Sequence, residues 1–245
     1  MLFSIITVTY NAATVLPPTL KSVSEQSFSD FEYMVIDGAS TDDTLQLVNQ
    51  AAIPCTKVWS EPDKGLYDAM NKAIDRAQGK YLIFLNAGDA FAATDSLERI
   101  ALKAQDNPDV IYGQTQLVDD SGNIVGMRHL TAPKKLDWKS FKNGMLVCHQ
   151  AFIAKREMCE HYDLKYRFSA DYDWCIKVLR KSKLCAYTGD QPIISFLYDG
   201  GLTTRHHKAS LRERYHIMCH YYGIVPTALR HLKFAMRHLI RKATH

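Results

Sequence analysis

Three short polar clusters follow apolar runs in the first third of the chain: Thr9-Tyr10-Asn11, Asp37-Gly38-Ala39-Ser40 and Asn86-Ala87-Gly88-Asp89. Between the second and third lies Ser60 to Ile74, in which Glu61-Pro62-Asp63-Lys64-Gly65 sets two carboxylates, a lysine and a glycine directly ahead of a helical pattern. In an open α/β sheet such loops gather beyond the carboxyl ends of the strands, so distant stretches of sequence share one pocket. Hydroxyls and amides there suit a nucleoside, a lysine suits a diphosphate, and a carboxylate just after a buried strand suits a divalent cation bridging phosphates. Any one cluster also reads as a helix cap or turn. Three of them, after the first, second and fourth strands, argue for a site.

The elements that must hold these clusters alternate between strand and helix. Ser4 to Thr9, Tyr33 to Ile36, Lys57 to Trp59 and Tyr81 to Leu85 are β-rich, and helical patterns separate them: Leu16, Leu20 and Val23 after Pro17 and Pro18, then Leu45 to Val48, then Tyr67, Met70, Ala73, Ile74 and Ala77. That order predicts βαβ units and a largely parallel sheet. Gly79 is expected to cap the third helix, and Asp95 with Glu98 to form a capping box for a fourth. After residue 110 the character becomes α+β, with a hairpin of Val110 to Val118 and Ile124 to Met127. Strands are expected at Leu146 to Ile153 and Leu184 to Tyr187, and a helix at Asp171 to Arg180. From Leu211 the pattern is helical, broken at Gly223 and Pro226.

The 245 residues suffice for one large domain with an appendage, and 47% hydrophobic with 23% charged residues describes an ordinary globular protein. The opening Met1 to Thr9 lacks a basic leader and a cleavage pattern, and no stretch approaches the ~18 to 20 apolar residues of a membrane span. A soluble or peripheral protein is therefore expected. Six scattered cysteines without a C-x-x-C pair point to reduced thiols and give no zinc spacing. The net charge of +4 conceals an uneven distribution: Arg205 to His245 holds nine Lys or Arg against Glu213 alone, leaving −4 on residues 1–204. Leu229, Leu232, Met236 and Leu239 line one helical face there, with Arg230, Lys233, Arg237 and Arg241 on others. A basic amphipathic tail over 205–245 suits an anionic membrane surface; the alternative is that its apolar face packs on the domain. Nucleic acid is not expected, because no reader motif accompanies the charge.

Over about residues 3 to 200 the chain resembles a family 2 glycosyltransferase with the GT-A fold. The resemblance rests on Ser4 to Asn11, Val35 to Asp42, Glu61 to Gly65 with Asn71, and Asn86 to Asp89, in that order and spacing. It implies a Rossmann-like nucleotide-binding domain with a mixed sheet over 1–204 and a helical C-terminal extension. It further implies inverting transfer of a sugar from a nucleotide diphosphate donor, a uridine one by family weight, to a hydroxyl of a glycan or lipid-linked acceptor in cell-surface polysaccharide assembly at the cytoplasmic membrane face. The segment Asp63 to Asn71 is similar to bacterial enzymes of that kind.

Residue by residue, the resemblance makes Asp171 the catalytic base, in Phe168-Ser169-Ala170-Asp171, where Ala170 replaces the usual Glu; a first-turn helix acid is the alternative. Asp173 ranks second. Thr9, Asn11, Asp37, Ser40, Lys64, Asn71 and Asn86 are expected at the donor. The family's metal-binding Asp-x-Asp becomes Asn86 and Gly88, leaving Asp89 as the ligand for Mg²⁺ or Mn²⁺. Gly38 stands where a second acid often follows Asp37. His149 and His206 are expected near acceptor or phosphate, with a core or surface position as the alternative for each. A non-catalytic nucleotide-sugar binding protein with a degraded metal motif is the second reading. A nucleotidyltransferase is disfavoured by the missing glycine-rich phosphate loop.

Overall fold

The computed structural model describes residues 1–119, 121–197 and 206–232. Strands β1 (Phe3–Thr9) and β2 (Phe31–Asp37) are buried along their whole length, as expected for parallel strands covered on both faces. With β3 (Thr56–Ser60) and β4 (Tyr81–Phe84) they form a parallel block in the order β3-β2-β1-β4. Helices α1 (Leu16–Ser24), α2 (Thr44–Gln50) and α3 (Leu66–Arg76) make the crossovers, α1 starting on Pro17 and Pro18. Register sets Thr9 beside Asp37 and Asp37 beside Ser60, which brings three side chains together at the carboxyl edge.

The sheet then becomes mixed. Strands β5 (Ala90–Phe91), β6 (Val110–Val118), β7 (Ile124–Met127), β8 (Phe152–Lys155) and β9 (Cys185–Leu197) extend it in the order β4-β8-β6-β9-β5, with β7 on β6 as the expected hairpin. Helices α4 (Ser96–Ala104) and α5 (Ala170–Lys181) complete the α/β domain.

Four local expectations are corrected. Leu146 to Ile153 is a loop and a 3-10 turn leading into β8, because the chain is gathering polar contacts there before it pairs. The strand expected at Leu184 to Tyr187 runs on to Leu197, since β6 offers it a long partner. Asp95 and Glu98 form no capping box: Asp95 pairs with Arg99 and Glu98 accepts from Ser27 Oγ. Gly79 is not the cap of α3, which ends at Arg76 with Ala77 as its C-cap. It is a glycine because a Cβ there would lie 2.4 Å from Ser4 N and 2.5 Å from the Phe3 carbonyl carbon, closer than any packing allows.

Helix α6 (His207–Tyr222) ends at Gly223, whose φ of 86° suits glycine, and residues 224–232 are again helical. It docks on the domain. Ile217 and Met218 are buried, Glu213 accepts from the backbone N–H groups of Arg167 and Phe168, and Ser169 and Ser210 share a hydrogen bond. The expected boundary at 204/205, and Lys233, Met236, Arg237, Leu239 and Arg241, lie outside the described residues.

At the opposite end of β2 from the site, Glu32 is fully buried and accepts from Lys57 Nζ (2.8 Å), Ser4 Oγ (2.6 Å), Gln78 N (2.6 Å) and Gly79 N (3.2 Å). Burial pushes its pKa up, but the Lys57, Ser4 and backbone hydrogen bonds outweigh that and hold it below 4.5. Its stabilisation is therefore complete above the unfolded value and is lost as pH falls through the folded one. Glu32→Gln should destabilise the protein by about 1–3 kcal/mol at pH 7, because its carbonyl can keep the Ser4, Gln78 and Gly79 bonds but its NH₂ would face the Lys57 ammonium in place of Oε2. In urea titrations the gap between wild type and variant should be constant above pH 4.5 and narrow as pH falls further below it; a gap that widens on acidification would refute this account.

Candidate active site

A cavity of about 600 Å³ opens at the carboxyl edge. Its walls are Val8, Thr9 and Tyr10 at the end of β1, Asp63 to Ala69 at the start of α3, and Leu164, Tyr166, Arg167, Phe168 and His206 from the second half. Gly65 holds a φ of 118° that favours glycine, and Asp63 Oδ1 accepts its N–H at 2.7 Å. Asp68 Oδ2 accepts the Lys64 N–H, while Lys72 and Arg76 reach back to Glu61. The helix thus folds its own leading loop into the wall. Lys64 and Arg167 are exposed on the rim, and His206 stacks on Phe168 with ring centres 4.8 Å apart.

Below Tyr10, Asp37 is fully buried and accepts from Thr9 Oγ1 (2.8 Å), Ser40 N (2.9 Å), Ser40 Oγ (2.5 Å) and Ser60 Oγ (2.7 Å). Burial pushes its pKa up, but the hydrogen bonds, led by those from Ser40 and Ser60, hold it below the usual carboxylate value. Asn11, in the left-handed region at φ 47°, donates its N–H to Ser40 Oγ and accepts the Thr41 N–H on its side chain. The β1 and β2 loops are thereby locked together.

The late segment is held by α3. Asn71 donates to Tyr162 O (3.1 Å) and accepts from Tyr162 N (2.7 Å), and the Tyr67 and Tyr162 rings stack. Tyr67 Oη donates to Asp171 Oδ1 at 3.1 Å. Burial, and then the charge of Asp171, raises the Tyr67 pKa well above 10, so the phenol keeps the proton it donates. Asp171 sits half-buried in the first turn of α5. Behind it His149, Tyr162 and Trp174 form an aromatic cluster with Phe84.

Comparison with known proteins gives this geometry a family. The family model described as "Glycosyl transferase family 2" matches residues 4–163. A "PGL/p-HBAD biosynthesis glycosyltransferase" of Mycobacterium bovis is 33% identical over 210 residues, covering 82% of this chain and 79% of that one. The chain belongs to glycosyl transferase family 2. An uncharacterised glycosyltransferase of Mycobacterium tuberculosis is 31% identical over 190 residues, covering 74% of this chain and 69% of that one. The crystal structure of S. aureus TarS residues 1–349 superposes with a TM-score of 0.73 at 18% identity over 96% of this chain and 72% of that one. Its complex with UDP-GlcNAc gives 0.70 at 20% identity, over 89% and 64%. The fold is GT-A.

In this family 2 glycosyltransferase the expected site residues fall into three groups. Thr9, Lys64 and His206 line the cavity, and Asp171 is tied to its wall through Tyr67. Asn11, Asp37 and Ser40 lie beneath it as a hydrogen-bonded floor, with Asp37 at its centre. Asn71, His149 and Asp173 are engaged within the protein itself. Asn71 is taken up by the Tyr162 backbone; His149 is 4% exposed, bonded to Tyr162 Oη, with burial lowering its pKa; Asp173 is held by Tyr221 Oη and Lys177. Asn86 and Asp89 lie outside the cavity wall, Asp89 buried and accepting from Gln150 Nε2 at 2.5 Å. Tyr67 was missed, although it stands in the quoted motif at the spacing that faces the late segment. Arg167 had no local signal, because only the fold brings it to the rim.

Asn71→Ala should lower stability by about 1–3 kcal/mol by stranding the Tyr162 backbone, while nucleotide affinity of the folded variant stays within twofold. A melting temperature equal to wild type would return Asn71 to the list of ligand contacts.

Proposed function

We propose that this glycosyltransferase moves a sugar, with inversion, from a UDP-sugar to a hydroxyl of a glycan or lipid-linked acceptor in cell-surface polysaccharide assembly. The single observation that carries the reading is the Tyr67 to Asp171 hydrogen bond. It joins a half-buried carboxylate to the wall of a cavity that has a nucleotide-sized volume and a basic rim. The relative named for PGL/p-HBAD biosynthesis supports the envelope setting, and the TarS complex with UDP-GlcNAc supports the donor class.

Inverting transfer makes few demands. The acceptor oxygen must be aligned with the anomeric carbon and lose its proton, and the departing diphosphate gains negative charge. In this reading Asp171 takes the acceptor proton, and Tyr67 fixes the orientation of its carboxylate, leaving the other oxygen for the acceptor. In the same reading Lys64 and His206, which both line the cavity, serve the diphosphate.

For Mg²⁺ or Mn²⁺ the residues present fit a cation carried largely by the donor. Among the described residues no group of three or more His, Cys, Asp or Glu forms a preformed metal cage. Asn86 Oδ1 is nevertheless buried without a hydrogen-bond partner three residues before the Asp89 carboxylate. Those two oxygens would hold such a cation through phosphates and water, and it would neutralise the leaving diphosphate.

Asp171→Asn should reduce transfer by about 10²- to 10⁴-fold and leave UDP affinity within twofold, measured by product formation and by calorimetry. Normal turnover in that variant rejects the assignment. Tight UDP binding without transfer or hydrolysis in wild type would favour the non-catalytic binding reading.

The tail supports a peripheral place on the cytoplasmic membrane face. No helix among the described residues is long and apolar enough to cross a membrane. Leu229 and Leu232, the described part of the expected apolar face, are 65% and 59% exposed, and Ile224 and Val225 ahead of them are 68% and 69% exposed. Leu229→Ser with Leu232→Ser should cut binding to phosphatidylglycerol vesicles by about tenfold; unchanged sedimentation with vesicles would sink membrane attachment.

A further inference from the structure

The floor of the nucleotide pocket poses a chemical problem. Asp37, the acid at the end of β2, accepts four hydrogen bonds and is fully buried, so its lone pairs are used. The next residue, Gly38, has no side chain. Nothing on β2 is left to read a base.

The space beside Gly38 is filled from another segment. A Cβ built on Gly38 would lie 2.6 Å from Asp63 Oδ2, 3.3 Å from Asp63 Cγ and 3.3 Å from the Tyr10 ring. The Asp63 carboxylate therefore stands where a side chain at position 38 would begin. Its Oδ1 is fixed by the Gly65 N–H at 2.7 Å, and among the described residues no hydrogen bond or ion pair engages Oδ2. Asp63 and Tyr10 both line the cavity, and the Tyr10 ring is 68% exposed.

We infer that Asp63 is the base-reading residue of this pocket, its Oδ2 accepting a ring N–H from the nucleobase of the donor. This rests on the nucleotide-sugar reading above. One free acceptor oxygen selects among the bases. Uracil presents a single imide N3–H and matches it. Cytosine presents an unprotonated N3 that repels a carboxylate. Guanine presents N1–H and an amino group that call for two free oxygens, and one is already held by Gly65. The preference is for uridine, set by a carboxylate on the α3 loop instead of one on β2.

Calorimetric titration of the full chain with UDP, CDP and GDP tests this. Wild type should bind UDP tightest. In Asp63→Asn the side-chain carbonyl keeps the Gly65 N–H, so the amide NH₂ takes the place of Oδ2 and opposes N3–H of uracil while matching N3 of cytosine. UDP binding should weaken at least tenfold and CDP should overtake it. Because the loop contact survives in this isosteric variant, a merely structural Asp63 would leave the order of bases unchanged. That result, with UDP within twofold of wild type, overturns the inference. Gly38 has no positive φ, so an Asp fits its backbone. Asp63→Gly with Gly38→Asp should regain UDP preference that Asp63→Gly alone has lost, and no regain counts against the shared position. A wild type that prefers CDP or GDP overturns the base assignment alone, whereas one that binds no nucleoside diphosphate overturns the reading beneath it.

Discussion

Two hydrogen bonds between the Asn71 carboxamide and the Tyr162 backbone join the halves of this molecule. The first half is a parallel block whose loops make half a pocket; the second is a mixed extension that pairs with it along β4 and β8 and touches it through contacts such as Tyr67 to Asp171 and Gln150 to Asp89. A carboxamide that both donates to and accepts from the backbone of one residue fixes distance and direction at once. Because Asn71 lies on α3, the same helix that carries the Asp63 to Ala69 wall also sets where the Leu164 to Phe168 wall stands. Tyr67, one turn earlier, extends the clamp to Asp171. The aromatic stack of Tyr67, Tyr162 and Trp174 gives the clamp a rigid backing.

This explains what the sequence shows and what it hides. The strands and crossovers up to residue 90 were legible because parallel βαβ units leave strong local marks: apolar runs, then helical spacing, with prolines and turn residues at the joints. The site was legible as a set of motifs but not as roles. Asp37, Ser40 and Asn71 look like ligand contacts because polar residues cluster there, yet satisfying buried polar groups calls for the same residue types as binding does. His149 carries the same ambiguity, since an imidazole between Phe84, Trp174 and Tyr162 packs as an aromatic. The pairing of β8 and the length of β9 were hidden because both depend on β6, a partner far away in sequence.

The departures at Gly38 and at Asn86 with Gly88 share a pattern. In each, a carboxylate expected on a strand end is missing, and another stands close by: Asp63 against Gly38, Asp89 just beyond Gly88. The pocket is defined by where charge sits in space, and several chain positions can supply it.

Glu32 has a consequence of a different kind. Its four donors come from β1, β3 and the turn before β4, segments up to 47 residues away along the chain. A partly partnered carboxylate in that position is penalised, and only the complete set removes the penalty. The junction therefore favours all-or-none closure of the parallel block over piecemeal assembly, and it makes the end of the sheet remote from the pocket a source of its folding cooperativity.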